Sequence, residues 1–225
     1  MRRIQTLILA LSVMAAGAMA QSTNVNSVNV VGYTTVTVPS NNGLVLVSLN
    51  LESVSGQAMC ISNLVGDQLP VNSWAHIWDR TKNGYYSTSK TRSGWGSIGT
   101  SNIMRGDAFW LQNGSLTANY VVVFSGEVPD STLEATTTVS QISQVDAVGY
   151  PYPADILWTN TTLAKNSLVG DWLHVWNGAG YVSYSKTRGG WGVAETNTIR
   201  LGQGFWFQTT NTVAWTESVP YNLSQ

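Results

Sequence analysis

From Val28 the chain alternates with the two-residue period of a β-strand: Val28, Val30, Tyr33, Val36 and Val38 are separated by Asn, Thr and Ser. The alternation slips around Gly32, which predicts a β-bulge there. Asn41-Asn42-Gly43 is a turn signal, and Leu44 to Leu51 then runs apolar and β-branched. Ala118 to Phe124 reads as a further strand, with its counterpart at Thr210 to Thr216. In Trp74-Ala75-His76-Ile77-Trp78 a strand projects both tryptophans and the histidine to one face, with Ala75 and Ile77 opposite. Trp172-Leu173-His174-Val175-Trp176 repeats the arrangement. Sandwich core is the favoured explanation of these rows, because tryptophan is mostly buried; a stacking platform for sugar rings is the alternative. Helical periodicity is poor throughout, and only 131–145 and 155–166 could hold a short turn or two. The pattern predicts an all-β fold.

The same elements occur twice. Ser89-Lys90-Thr91-Arg92-Ser93-Gly94-Trp95-Gly96 returns as Ser185-Lys186-Thr187-Arg188-Gly189-Gly190-Trp191-Gly192. Leu64-Val65-Gly66-Asp67 returns as Leu168-Val169-Gly170-Asp171, and the Gly-x-x-Phe-Trp segment at Gly106 returns at Gly202. A period of about 100 residues is a duplicated domain, not a solenoid repeat. The expected architecture is two tandem homologous antiparallel β-sandwich-like units, residues 21–130 and 144–225, joined by a polar connector at 131–143. On this alignment unit one carries an extra opening strand at Val31-Gly32-Tyr33. Gln68 to Ser73 has no counterpart in unit two, and the hairpin from Trp78 to Gly84 is shortened there.

Residues 1–20 have the layout of a secretory signal peptide: Arg2 and Arg3, an apolar run from Ile4 to Met14, and Ala18-Met19-Ala20 before a cleavage expected at Gln21. The expected location is secreted, periplasmic or in the cell envelope, with no membrane span in the mature form. Two of the 11 basic residues lie in this leader, so nine would face 12 acidic ones, a net charge of about −3. With no basic tract, nucleic acid is not an expected partner. The sole cysteine, Cys60, cannot form an internal disulfide and reads as a buried small apolar residue.

No catalytic or metal site is expected, and no cofactor. A Gly-x-Ser-x-Gly elbow is absent, and the two histidines occupy matching repeat positions instead of clustering. Asp107, Glu127 and Glu195 have no evident partner for paired-carboxylate chemistry. The candidate ligand site is the repeated segment itself: Lys90, Arg92 and Trp95, restated as Lys186, Arg188 and Trp191. Cations beside an accessible indole could grip a polymer by ring stacking and bidentate arginine contacts. The plainer explanation is a solvated strand face whose Lys and Arg stems cover apolar surface. Lys90 and Lys186 would also protect sheet edges.

Val31-Gly32-Tyr33, the two Gly-x-x-Phe-Trp segments and Val148-Gly149-Tyr150-Pro151-Tyr152-Pro153 resemble a group of secreted, duplicated β proteins of Verrucomicrobia and related bacteria. The resemblance covers essentially the whole chain after the leader. It implies a bacterial exported protein and brings no catalytic residues to carry over. The expected function is non-catalytic binding of an extracellular polysaccharide or surface polymer. The alternative is a structural envelope or matrix protein that self-associates.

Overall fold

A computed structural model of the chain describes residues 30–130, 133–138 and 145–221; the leader and its cleavage site lie outside them. The protein is mostly β, with several antiparallel sheets. Strands β1 (Val31–Val38) and β7 (Tyr120–Glu127) form a two-stranded ribbon. The ribbon lies over a five-stranded sheet of order β2-β6-β3-β4-β5: β2 (Leu44–Ser48), β6 (Ala108–Gln112), β3 (Trp74–Asp79), β4 (Gly84–Thr91) and β5 (Gly94–Trp95). Val36, Val38, Val122 and Phe124 of the ribbon meet Val47, Ala75, Phe109 and Leu111 of the sheet. Ile61 and Leu64 of the one-turn helix α1 (Ile61–Leu64) join this core.

The second half is also built from a two-stranded ribbon and a larger antiparallel sheet. Strand β8 (Leu133–Thr138) pairs with β15 (Thr212–Glu217) as β1 pairs with β7. A four-stranded sheet runs β12-β11-β14-β9, from β12 (Tyr181–Ser185), β11 (Trp172–Trp176), β14 (Gly204–Gln208) and β9 (Val145–Gly149). Strands β10 (Ile156–Leu157) and β13 (Thr198–Ile199) pair beside it. Phe205, Phe207, Leu173, Trp158 and Trp215 form its core with Leu163 of α2 (Thr162–Asn166).

Several expectations need correction. The β1–β7 register runs unbroken from Val31↔Glu127 to Val38↔Tyr120, so Gly32 makes no bulge. Gly32 instead faces inward, where a Cβ would come within 2.9 Å of Val128 and 3.1 Å of Leu51. It is small for close packing. The stretch read as connector contains β8, so β1 is not an unmatched strand and 131–145 is not helical where described. Within Gln68 to Ser73, Asn72 and Ser73 do have counterparts, Gly170 and Asp171, although the segment as a whole is shorter in the second half. Lys90 N donates to Ser73 O and Lys186 N to Asp171 O, both at 2.8 Å, while Asn72 N and Gly170 N donate to Lys90 O and Lys186 O. Asp171 therefore occupies the place of Ser73, not of Asp67, and the Leu-Val-Gly-Asp echo is not a structural equivalence. Cys60 is buried, as expected.

The two large sheets pack on each other through contacts that come in reciprocal pairs. Ser48 N donates to Gly202 O and Gly149 N to Gly106 O, each at 2.9 Å, with bridges Val47↔Gln203 and Asp107↔Val148. Trp78 stands edge-on to Trp206 at 4.8 Å, and Trp176 edge-on to Trp110 at 5.2 Å. Leu46, Ala108 and Ala147 fill the space between. Each half presents the same patch to the other, the geometry of an isologous dimer interface within one chain. Close approach requires Gly149, whose Cβ would fall 2.0 Å from that of Ser48.

Candidate functional site

The Lys-Thr-Arg segments fold as tight hairpin turns. Strand β4 ends at Thr91, which pairs with Gly94 across Arg92-Ser93; Thr187 bridges Gly190 across Arg188-Gly189. Gly94 and Gly190 have φ of +103° and +105°, the left-handed region that favours glycine. The threonine hydroxyl closes each turn, accepting from Ser93 N or Gly189 N and donating to the glycine carbonyl. Arg92 and Arg188 sit exposed at the tips.

The lysines and tryptophans point the other way. Lys90 is 6% exposed; its ammonium donates to Gly66 O at 2.9 Å and is paired with Asp67. Trp95 Nε1 donates to the same Gly66 carbonyl at 2.8 Å. Lys186 Nζ donates to Ala164 O at 3.0 Å and Ser167 O at 2.7 Å, and Trp191 Nε1 to Ala164 O at 3.1 Å. These are carbonyls at the C-terminal ends of α1 and α2, where backbone acceptors lack intrahelical partners and cations are favoured. Trp191 is 4% exposed and Trp95 half-buried. The repeated Lys and Trp of the expected ligand site are thus occupied inside the fold, and neither lysine stands guard on a sheet edge. Arg92 and Arg188 remain exposed, and the cation brought beside an indole is Lys90, whose Nζ lies 6.0 Å from the centre of the Trp95 ring.

The solvent-facing aromatic surface lies on the outer faces of the large sheets. On β3 the alternation turns Trp74, His76 and Trp78 outward and Ala75 into the core. The hairpin behind it is fixed by Asp79 Oδ1, which accepts from Thr81 N and Thr81 Oγ1; in the shorter β11–β12 turn Asn177 Oδ1 accepts from Ala179 N and Gly180 N. These turns set the register that places Ser87 opposite His76, Tyr85 opposite Trp78, Ser183 opposite His174 and Tyr181 opposite Trp176. Trp74 is 41% exposed and stacks parallel to His76 at 6.1 Å; Trp172 is 38% exposed and stacks parallel to His174 at 6.0 Å. The rows are therefore split. Their inner ends, Trp78 and Trp176, pack between the halves, and their outer ends lie open.

Between the two stacks runs a groove of about 390 Å³ lined by Trp78, Tyr85, Val145, His174, Tyr181, Ser183 and Trp206. Trp110 Nε1 donates to Tyr85 OH at 3.1 Å and Trp206 Nε1 to Tyr181 OH at 2.9 Å, which fixes both phenols. Each histidine Nδ1 lies 2.7 Å from a serine hydroxyl, Ser87 or Ser183. His174 Nε2 lies 3.3 Å from Gln208 Oε1, so a ring that donates there accepts from Ser183 at Nδ1. Burial lowers the affinity of both histidines for a proton, partly offset by Gln112 and Gln208. A serine–histidine contact is half of a nucleophilic dyad. Here, however, the group orienting His174 at its other nitrogen is a neutral amide, not a carboxylate. Among the described residues no group of three His, Cys, Asp or Glu could hold a metal ion, and no helix is long and apolar enough to cross a membrane.

A charge cluster at the junction is asymmetric. Arg80, in the longer β3–β4 turn, donates from Nε to Asp146 at 2.6 Å and from a terminal nitrogen to Asp107 at 2.9 Å. Asp107, which has no evident partner in sequence, thus has one. Burial, opposed by Arg80, pushes the Asp146 carboxyl up to about 6. In sequence the Trp-x-His-x-Trp pattern points first to core and only second to a platform, and it carries no signal of the Tyr85–Tyr181 groove. Which rings would stay open depended on how the two sheets meet. The chain matches no family model, no curated protein and no solved structure.

Proposed function

We propose that this is a secreted, non-catalytic protein of two tandem homologous β-sandwich-like units that binds an extracellular polysaccharide along its aromatic strip. The observation that carries the reading is the pair of exposed, parallel Trp–His stacks leading into a groove walled by Tyr85 and Tyr181. Flat indoles present an apolar face to the C–H face of a sugar ring, and the neighbouring hydroxyls and amides can meet its hydroxyls. Supporting the tandem-unit reading are the doubled sequence and the reciprocal contacts between the halves. The signal-like leader supports export. The ligand surface is thus moved from the Lys-Thr-Arg turns to Trp74, His76, Trp172 and His174. Affinity electrophoresis through gels containing soluble polysaccharides tests it: retardation is expected for the intact protein and not for Trp74→Ala/Trp172→Ala. Equal mobility of the two proteins in every gel would overturn it.

A specific observation favours self-association as the second reading. Val31, Tyr33, Val121 and Val123 are all exposed on the outer side of the β1–β7 ribbon, with Tyr33 66% exposed. Its edge is blocked, however, because Gln68 bonds both the N–H and the carbonyl of Val123. Light scattering across a concentration series separates the readings: association would be lost in Tyr33→Ser, and glycan binding would not.

A further inference from the structure

We propose that the ligand is an uncharged glycan chain lying across the whole strip, gripped at one end by Trp74–His76 and at the other by Trp172–His174. The proposal rests on the glycan-binding reading above and deepens it.

Three observations carry it. The first is the chemistry of the surface. Apart from apolar groups, the outward positions of β3, β4, β11 and β12 offer serine and tyrosine hydroxyls and imidazoles, with the Gln112 and Gln208 amides beside them. Three nearby cations are engaged elsewhere: Lys90 and Lys186 bind helix carbonyls, and Arg80 holds Asp107 and Asp146. Lys82, Arg92 and Arg188 are exposed but lie in turns, outside the strand positions of the strip. An anionic chain would surrender hydration along these strands, whose outward positions carry no Lys or Arg to replace it. Groups that both donate and accept suit sugar hydroxyls instead.

The second is continuity. Trp74 touches His76, and His76 lies 6.2 Å from Tyr85. Tyr85, Tyr181 and His174 line one groove, and His174 stacks on Trp172. The strip is a single track.

The third is symmetry. The reciprocal packing of the halves reverses direction along the track, whereas a glycan has a reducing and a non-reducing end. Matching ends can therefore both engage one chain only through contacts indifferent to its direction. Ring stacking and amphiprotic hydroxyls have that property.

Calorimetric titration of the full chain with neutral gluco- and manno-oligosaccharides of increasing length, and with polyuronates and sulfated glycans of matching length, tests the proposal. Only the neutral series is expected to bind, with affinity climbing with length until both ends are engaged. Trp74→Ala and Trp172→Ala are each expected to weaken the longest chain by roughly five- to tenfold, and together to abolish the length dependence. Trp74→Leu and Trp172→Leu, which keep apolar cover without a stacking face, should rank the same way. Charged chains binding as tightly as neutral ones would overturn the ligand class and leave glycan binding standing. Affinity independent of length, or one variant silent while the other abolishes binding, would overturn the two-ended grip. Binding to no glycan of either kind would remove both this proposal and the reading beneath it.

Discussion

Lys186 donates to the carbonyl of Ser167 and shares the carbonyl of Ala164 with Trp191, so its removal takes the ammonium donor from Ser167 O while Ala164 O keeps its indole. Lys186→Met is expected to cost about 1–3 kcal/mol in urea unfolding, since a partly buried acceptor without a partner is costly. Lys90→Met should cost less, because Gly66 O keeps its bond from Trp95. Arg92→Ala and Arg188→Ala, at exposed turn tips, should change stability by less than about 0.5 kcal/mol. Asp146 gives a pH dependence. Its carboxyl, at about 6 when folded against an ordinary 3.8, binds a proton more readily in the folded state than in the unfolded one. Its contribution to stability is therefore poorest above pH 6 and improves as pH falls toward 3.8. Relative to Asp146→Asn, the native protein should gain on the order of 2 kcal/mol on acidification through that window. A stability difference between the two that does not change with pH would contradict the assignment. None of these roles was legible in sequence. The Lys-Thr-Arg-x-Gly-Trp echo shows that the residues matter twice, but whether a lysine faces water or a helix end depends on where α1 and α2 dock.

Strand elements were far easier to read, because period-two alternation survives packing on one face. β1, β2, β7 and β15 lie where their apolar residues recur. The failures have physical causes. Gly32 imitates a bulge signal because a glycine can mark either a backbone irregularity or close packing, and only the neighbours Val128 and Leu51 decide. Strand β8 is Thr-rich and resembles a connector until β15 is available to pair with it. The Leu-Val-Gly-Asp echo misaligned because Asp171 takes the place of Ser73. At this scale Gly149→Ala is the sharpest test, because its Cβ would lie 2.0 Å from that of Ser48. A loss of at least about 2 kcal/mol is expected in thermal unfolding. Gly180→Ala, in a hairpin with nothing within 4 Å of the new Cβ, should be neutral or slightly stabilising.

Across the whole molecule the two halves share a buried aromatic junction, with Trp78 on Trp206 and Trp176 on Trp110. They should unfold as one unit. Tryptophan fluorescence and far-UV circular dichroism are expected to trace coincident transitions, and two separated transitions would contradict this coupling. The same junction leaves Trp74–His76 and Trp172–His174 open at opposite ends of one uncharged track, while the repeated lysines turn inward. Titration of a neutral polysaccharide against two paired variants measures this division most directly. Binding should be lost in Trp74→Ala/Trp172→Ala and unchanged in Arg92→Ala/Arg188→Ala; binding that survives the first pair, or disappears with the second, would contradict it.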